Sequence, residues 1–199
     1  MRRVPEAVQF RCSHLTLDEF YDYCWKKLQR AGVDRKSPFR TPALLTLNNN
    51  TPAGRTIVLR QVDTEKWQLW FHTRADSAKA SELAENSQAA LLFYSKKDQL
   101  QLRVAGQARL LVGDAGAGLW SKSSPAERLL YFVPRSPGTK ISEPGPLPAM
   151  DEKQLKEAPV PETFASLEFQ IEEIDALQLS RDFHRRAFFS QSKRCWLQP

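Results

Sequence analysis

Residues 54–79 read GRTIVLRQVDTEKWQLWFHTRADSAK, and this stretch decides how the chain folds. Arg55 opens an apolar run that closes on Arg60, and a second run follows the polar DTEK segment and ends at Thr73. Runs of β-branched and aromatic residues bounded by turn formers predict strands, here about Thr56–Val62 and Trp67–Thr73 with DTEK as the hairpin loop. Asp76 or Ser77 then caps a short helix that runs through Leu83 and ends near Asn86. A strand–loop–helix junction aims backbone N–H groups and the positive end of the helix dipole at one place. Arg55 and Lys79 can add charge-assisted hydrogen bonds there, and Thr73 and Ser77 neutral ones, so the expected ligand group is a phosphate. Spacing alone also fits a β-hairpin with a solvated, charged edge.

Upstream, Thr16 and Glu19 form a capping-box pattern that starts a helix over 16–31, with Gly32 as its expected stop. Leu17, Phe20, Tyr21, Cys24, Trp25 and Leu28 fall on one stripe and predict a core-facing side. Ala43–Leu47 reads as a first strand, and NNNTPAG at 48–54 as a turn. Downstream, Ala89–Tyr94 and Leu100–Val112 predict a hairpin, with Gly106 marking a bulge. Residues 114–133 read as an amphipathic helix, and 134–161 as an extended excursion rich in Pro, Gly and charge. Phe164–Ile171, Ile174–Leu179, Phe183–Ser190 and Arg194–Leu197 complete the strands. Many short strands with few helices predict a mainly β fold with peripheral helices, an antiparallel barrel, in one domain over 1–199.

Composition narrows the function classes. Of 199 residues, 41% are hydrophobic and 26% charged, as in ordinary globular proteins. No apolar run approaches the ~20 residues that span a bilayer, and MRRVPEAVQF lacks a secretory apolar region, so a cytoplasmic location without membrane contact is expected. Cys12, Cys24 and Cys195 are scattered without CxxC spacing, which predicts free thiols and neither a disulfide framework nor a metal site. The net charge of +6 is concentrated toward the end, where Arg181, Arg185, Arg186, Lys193 and Arg194 stand against Asp182. These arginines alternate with Phe183, Phe188, Phe189 and Trp196 as on two faces of a strand, without a helical basic face or a run of like charges; small anions explain the pattern as well as phosphodiesters do, and nucleic acid is not the expected partner.

The segment resembles the flavin-binding core of the pyridoxamine 5'-phosphate oxidase-like family, which folds as FMN-binding split β-barrels. The resemblance rests on Arg55, Thr56, Ile57, Val58, Leu59 and Arg60, then on Phe71, His72, Thr73, Ser77, Ala78 and Lys79, and on FYSKKDQLQLRVAGQARLL (93–111) with Gln101 at a flavin-contacting glutamine. It covers residues 40–112 well and the remainder loosely. It implies FMN as cofactor, with its phosphate on Arg55, Thr73, Ser77 and Lys79, the backbone of 56–59 along the ring, and Arg60 near ring and substrate. His72 would reach phosphate or ribityl oxygens. It also implies a homodimer with the flavin between subunits, Gln101 coming from the partner, and a small-molecule substrate.

Departures limit what carries over. His72 and Ala78 replace a tyrosine and an arginine of the family pattern, and the substrate-phosphate positions align with Arg60, Leu119, Ser123 and Glu127. Arg185 is the candidate on the substrate side, with Arg186 one register step away. The reading is an FMN-dependent oxidoreductase with an unassigned, anionic substrate. Its alternatives are a pyridoxamine phosphate oxidase with a rebuilt substrate site, a non-catalytic flavin or haem binder that would draw on His14, His72 or His184, and a basic nucleic-acid-binding barrel.

Overall fold

The computed structural model describes residues 15–180 and 183–199; the MRRVPEAVQF segment, Cys12, His14, Arg181 and Asp182, all used above, lie outside the described residues. The strands are β1 (Ala43–Asn48), β2 (Thr51–Thr56), β3 (Leu59–Asp63), β4 (Gln68–Arg74), β5 (Gln88–Ser95), β6 (Leu100–Val112), β7 (Phe164–Leu179), β8 (His184–Ser190) and β9 (Arg194–Leu197). All pair antiparallel, in the order β2-β1-β5-β6-β7-β4-β3, with β8 on β7 and β9 on β8.

The sheet splits at β7. One edge of this strand pairs with β6 along nearly its whole length. The other edge pairs with β4 over residues 164–170 and with β8 over residues 173–179. The two strands expected between Phe164 and Leu179 are therefore one. Its register slips where Ala105 faces Glu173 and Gly106 faces Ile171, which leaves Glu172 unpaired. Gly106 is required there: a Cβ would lie 2.0 Å from the Gln170 carbonyl oxygen. The bulge bends the pair as barrel closure needs.

Four other sequence boundaries shift for local reasons. Only Asn49 and Asn50 form the expected turn, with φ of 48° and 63°. Successive left-handed residues make a tight hairpin, so Thr51–Thr56 becomes β2, and Pro52 is tolerated because β2 pairs only with β1. The strand expected over 56–62 consequently breaks at Ile57–Val58. The amphipathic run 114–133 is not one helix; a 3-10 turn leads to α3 (Ala117–Trp120) and α4 (Pro125–Leu129) follows, because the Ser124–Pro125 cap starts a new helix rather than continuing the old one. The first helix, α1 (Leu17–Val33), has its capping box, Glu19 N–H to Thr16 Oγ1 at 3.3 Å and Thr16 N–H to the Glu19 carboxylate at 2.7 Å. It runs through Gly32 because Asp34 N–H and the Arg40 guanidinium satisfy the terminal carbonyls of Arg30, Ala31 and Gly32, so no left-handed glycine is needed.

Leu44, Leu59, Leu69, Phe71, Phe93 and Phe169 point inward, and α1 closes the barrel with Phe20, Trp25 and Leu28. A smaller cluster of Leu119, Trp120, Tyr131 and Phe164 holds α3 and α4 on the opposite face of β4. The excursion is fastened rather than free. Its short helix α5 (Glu152–Glu157) buries Leu155, and the buried Arg128 guanidinium donates to the carbonyls of Leu155, Lys156, Trp120 and Ser121 while lying 4.9 Å from the Trp120 ring.

Two substitutions probe this architecture. Gly106→Ala forces β6 and β7 apart and is expected to cost about 2–4 kcal/mol in urea unfolding. Arg128→Leu leaves four carbonyls short of a donor and is expected to cost about 2–3 kcal/mol, with new protease cleavage confined to 134–161.

Candidate functional site

Alternation along the strands sorts the predicted residues into three places. Arg55 faces Leu44 across β1–β2 and shares its inward side, and Thr73 shares the inward side of β4 with Phe71. Helix α2 (Ala78–Glu85) covers this end of the barrel, and Lys79 reaches back so that Nζ donates to Thr73 Oγ1 and Ser77 Oγ, each at 3.1 Å. Thr73 and Ser77 are buried. The Ser77 hydroxyl donates to the Arg74 carbonyl at 2.7 Å and makes no cap bond, so the N–H groups of Ala78 and Lys79 remain open at the helix start.

Arg55 stands beside this group with its terminal nitrogens engaged. Nη2 donates to Glu82 Oε2 at 2.7 Å, and Nη1 donates to Thr46 Oγ1 and to the Ala53 carbonyl. Thr46 Oγ1 in turn donates to the same Glu82 oxygen. Burial works to raise the Glu82 pKa, but the bonds from Thr46 and Arg55 prevail and hold it below the usual carboxylate range. Burial, then the Arg55 charge, lowers the Lys79 pKa, while Glu82 and Asp76 act against that. Arg55, Thr73, Ser77 and Lys79 thus gather at the start of α2. Arg74 braces it: its guanidinium grips Asp76 at 2.8 and 2.7 Å and donates to the carbonyls of Leu130 and Val133, tying the segment after α4 to the start of α2.

The second place lies across β4. Arg60 sits at a register shift between β3 and β4 and pairs with Glu127, whose other carboxylate oxygen accepts from Ser124 N–H at 3.0 Å as the α4 cap. His72 is not with Thr73, Ser77 and Lys79. It packs edge-on to Phe164 at 5.2 Å between ring centroids, and neither ring nitrogen has a hydrogen-bond partner among the described residues. Burial first, then the Arg60 charge, lowers its pKa to about 4. Tyr131, buried alongside, has its phenol pushed up to about 12 chiefly by burial. Ser123 bonds the Leu119 carbonyl at 3.0 Å, so the positions aligned with a substrate-phosphate site here serve helix packing and capping. A cleft of about 440 Å³ opens next to this cluster, walled by Trp70, Gln61, Leu119 and Lys122.

The backbone of 56–59 connects the two places. Ile57 and Leu59 bury their side chains in the core, and Ile57 N–H is given to the Pro42 carbonyl at 3.0 Å. Thr56 ends the β2 ladder, and Val58 lies in the break between β2 and β3, outside both ladders.

The third place is the outer face of the sheet. Leu100, Leu102 and Val104 point inward, so Gln101 points outward, in a cross-strand row Tyr94–Gln101–Leu177–Arg186–Leu197. Arg185 has the opposite facing. Its guanidinium is buried over the rings of Phe20 and Phe183, at 5.3 and 4.4 Å, in the packing of α1. The arginine on the Gln101 face is Arg186, held by Asp175 at 2.9 and 2.7 Å. Glu82, Thr46 and Tyr131 went unnoticed in the sequence; the i, i+3 spacing of Lys79 and Glu82 on one helix face was the available signal.

The His72 environment has a pH consequence. A histidine whose folded pKa lies below its unfolded value of 6.5 contributes stability above pH 6.5 and loses it as pH falls toward 4. Unfolding free energy is expected to drop by up to about 3 kcal/mol across that window, and His72→Phe should flatten this part of the pH–stability curve.

A family model described as pyridoxamine 5'-phosphate oxidase, FMN-binding domain, matches residues 22–112. Pyridoxine/pyridoxamine 5'-phosphate oxidase from Psychrobacter cryohalolentis is 26% identical over 137 residues, 65% of this chain and 62% of the relative. The enzyme of that name from Trichormus variabilis is 30% identical over 139 residues, 60% of this chain and 58% of the relative. The chain thus spans less than two thirds of the length of these relatives. Among solved structures, an FMN-binding protein from Nostoc punctiforme, described as pyridoxamine 5'-phosphate oxidase-related, has a TM-score of 0.70 at 24% identity, covering 94% of this chain and 99% of its own. PhzG from Burkholderia lata, in complex with tetrahydrophenazine-1-carboxylic acid, has a TM-score of 0.69 at 21% identity, covering 99% and 98%. These two share the split-barrel fold. No helix among the described residues is long and apolar enough to cross a membrane.

Proposed function

We propose, since the chain belongs to the pyridoxamine 5'-phosphate oxidase-like FMN-binding family, that it is a dimeric FMN-dependent oxidoreductase acting on a small molecule. The observation that carries the reading is the corner formed by Arg55, Thr73, Ser77 and Lys79 at the start of α2. Two cations, the Thr73 hydroxyl and two open N–H groups match the oxygens of one phosphate monoester, while Ser77, its proton given to the Arg74 carbonyl, holds Lys79 in place. Bound FMN supplies two-electron chemistry, so the chain need only hold, orient and shield the reacting partners.

Each group then has a job. Lys79 has one N–H beyond those given to Thr73 and Ser77, and it turns toward the phosphate. The break at Val58 leaves backbone polar groups outside any ladder, where an isoalloxazine edge needs hydrogen-bond partners. Arg60, kept in place by Glu127, sets a fixed cation beyond that edge. Trp70 offers a flat wall and Lys122 a single cation to a planar anionic substrate in the adjoining cleft. The aromatic acid bound by the structurally similar PhzG is a substrate class that fits such walls.

Facing supports the dimer. Gln101 and Arg55 lie on opposite sides of the sheet, so one chain cannot present both to one flavin. A second copy docked on the outer face can, and that face exposes Leu45, Leu92, Tyr94 and Leu197. Members of this family are commonly dimeric. Arg186, in the same row as Gln101, replaces Arg185 as the arginine that would reach the site from the partner.

Purified protein is expected to be yellow with flavin absorption bands and to sediment as a dimer. Arg55→Ala combined with Lys79→Ala should lose bound flavin, and Gln101→Ala should weaken it without unfolding the chain. Colourless protein that does not change the fluorescence of added FMN would remove the reading.

A further inference from the structure

A buried carboxylate beside a phosphate site is unexpected, because it cancels charge where anion affinity needs it. Glu82 is only 6% exposed, yet it contacts Arg55 directly. Its place becomes intelligible from the donors that it consumes. Guanidinium carries five N–H groups in a rigid plane. Glu82 and Thr46, themselves hydrogen-bonded, occupy one N–H on each terminal nitrogen, and the Ala53 carbonyl takes another on Nη1 at 3.3 Å. Nε–H and one Nη2–H remain, with no partner among the described residues. Those two form the side edge of the plane, which suits bidentate recognition of an oxyanion.

We propose that Glu82 is a positioning residue which, with Thr46, clamps the Arg55 guanidinium so that its open side edge faces the phosphate corner of Lys79, Thr73 and Ser77. The inference rests on the FMN reading and names the pair that makes its phosphate site rigid before ligand arrives. Without the clamp, a long side chain must be ordered on binding, which weakens affinity. The carboxylate has a second effect. The charged groups acting on the Lys79 ammonium are Arg55, which disfavours it, and Glu82 and Asp76, which favour it. Removal of the Glu82 charge lowers the Lys79 pKa further, so the lysine loses its proton at lower pH and phosphate affinity fails earlier on the alkaline side.

The test compares FMN with riboflavin, which lacks the phosphate, by fluorescence titration of apoprotein from pH 6 to 10. Glu82→Ala is expected to weaken FMN roughly tenfold or more while riboflavin affinity stays unchanged, and Thr46→Val should do the same to a smaller degree. Glu82→Gln keeps the shape and the acceptor oxygen; it should bind FMN nearly normally at pH 7 and lose it at lower pH than the unsubstituted protein. The proposal is overturned if the FMN-to-riboflavin affinity ratio and its alkaline limb are unchanged in Glu82→Gln and Glu82→Ala, or if both ligands weaken equally in the folded variants. Unsubstituted protein that binds neither ligand would instead remove the FMN reading, and this one with it.

Discussion

A β-strand has two hydrogen-bonding edges, and this molecule depends on how β7 divides its own. With β6 on one edge and β4 then β8 on the other, sixteen residues hold together strands far apart in sequence. The division requires a bend, and the bend requires a residue without a side chain against the Gln170 carbonyl, which Gly106 provides. The first half of β7 places β4, and so Thr73 and the start of α2. The second half places β8, and so Arg186. A barrel split in this way has a polar corner inside one end and a half-apolar face outside, the two surfaces that the proposed two-chain flavin site would use.

Charge in the molecule follows one rule: every buried cation near the site is held by acceptors that set its direction. Arg74 is gripped by Asp76, Arg60 by Glu127, and Arg55 by Glu82 and Thr46. Arg128 uses backbone carbonyls and the face of Trp120 to the same end. Each arrangement limits the desolvation cost of the cation and leaves its remaining donors aimed. His72 is the exception. It stays neutral in a buried setting, where proximity to Arg60 further disfavours its charged form.

Much of the fold was legible because local rules were strong there. The Thr16–Glu19 capping box, the apolar stripe of α1, the Asp76–Ser77 helix start and the Gly106 bulge carry signals within a few residues, and the structure shows each. The errors arose where local signals compete. Asn, Pro and Gly at 48–54 read as a turn, but only two asparagines turn, because an edge strand can hold Pro52. Residues 114–133 have helical periodicity, yet a Ser–Pro cap breaks the run. Arg185 and Arg186 are adjacent in sequence, and only the β7–β8 register tells which faces outward.

By itself the amino-acid order determined the mainly β class, the helix that precedes the barrel, and the cation–hydroxyl motif from Arg55 to Lys79. These are written in periodicity and spacing, which act over a turn of helix or a pair of strands. Tertiary structure alone decided that His72 lies away from Thr73, Ser77 and Lys79, that Gln101 and Arg55 stand on opposite sides of one sheet, and that Glu82 reaches Arg55. Which face a residue takes is local, but what lies on that face is set by strands and helices brought together from distant parts of the chain, and no short stretch of chain carries that information.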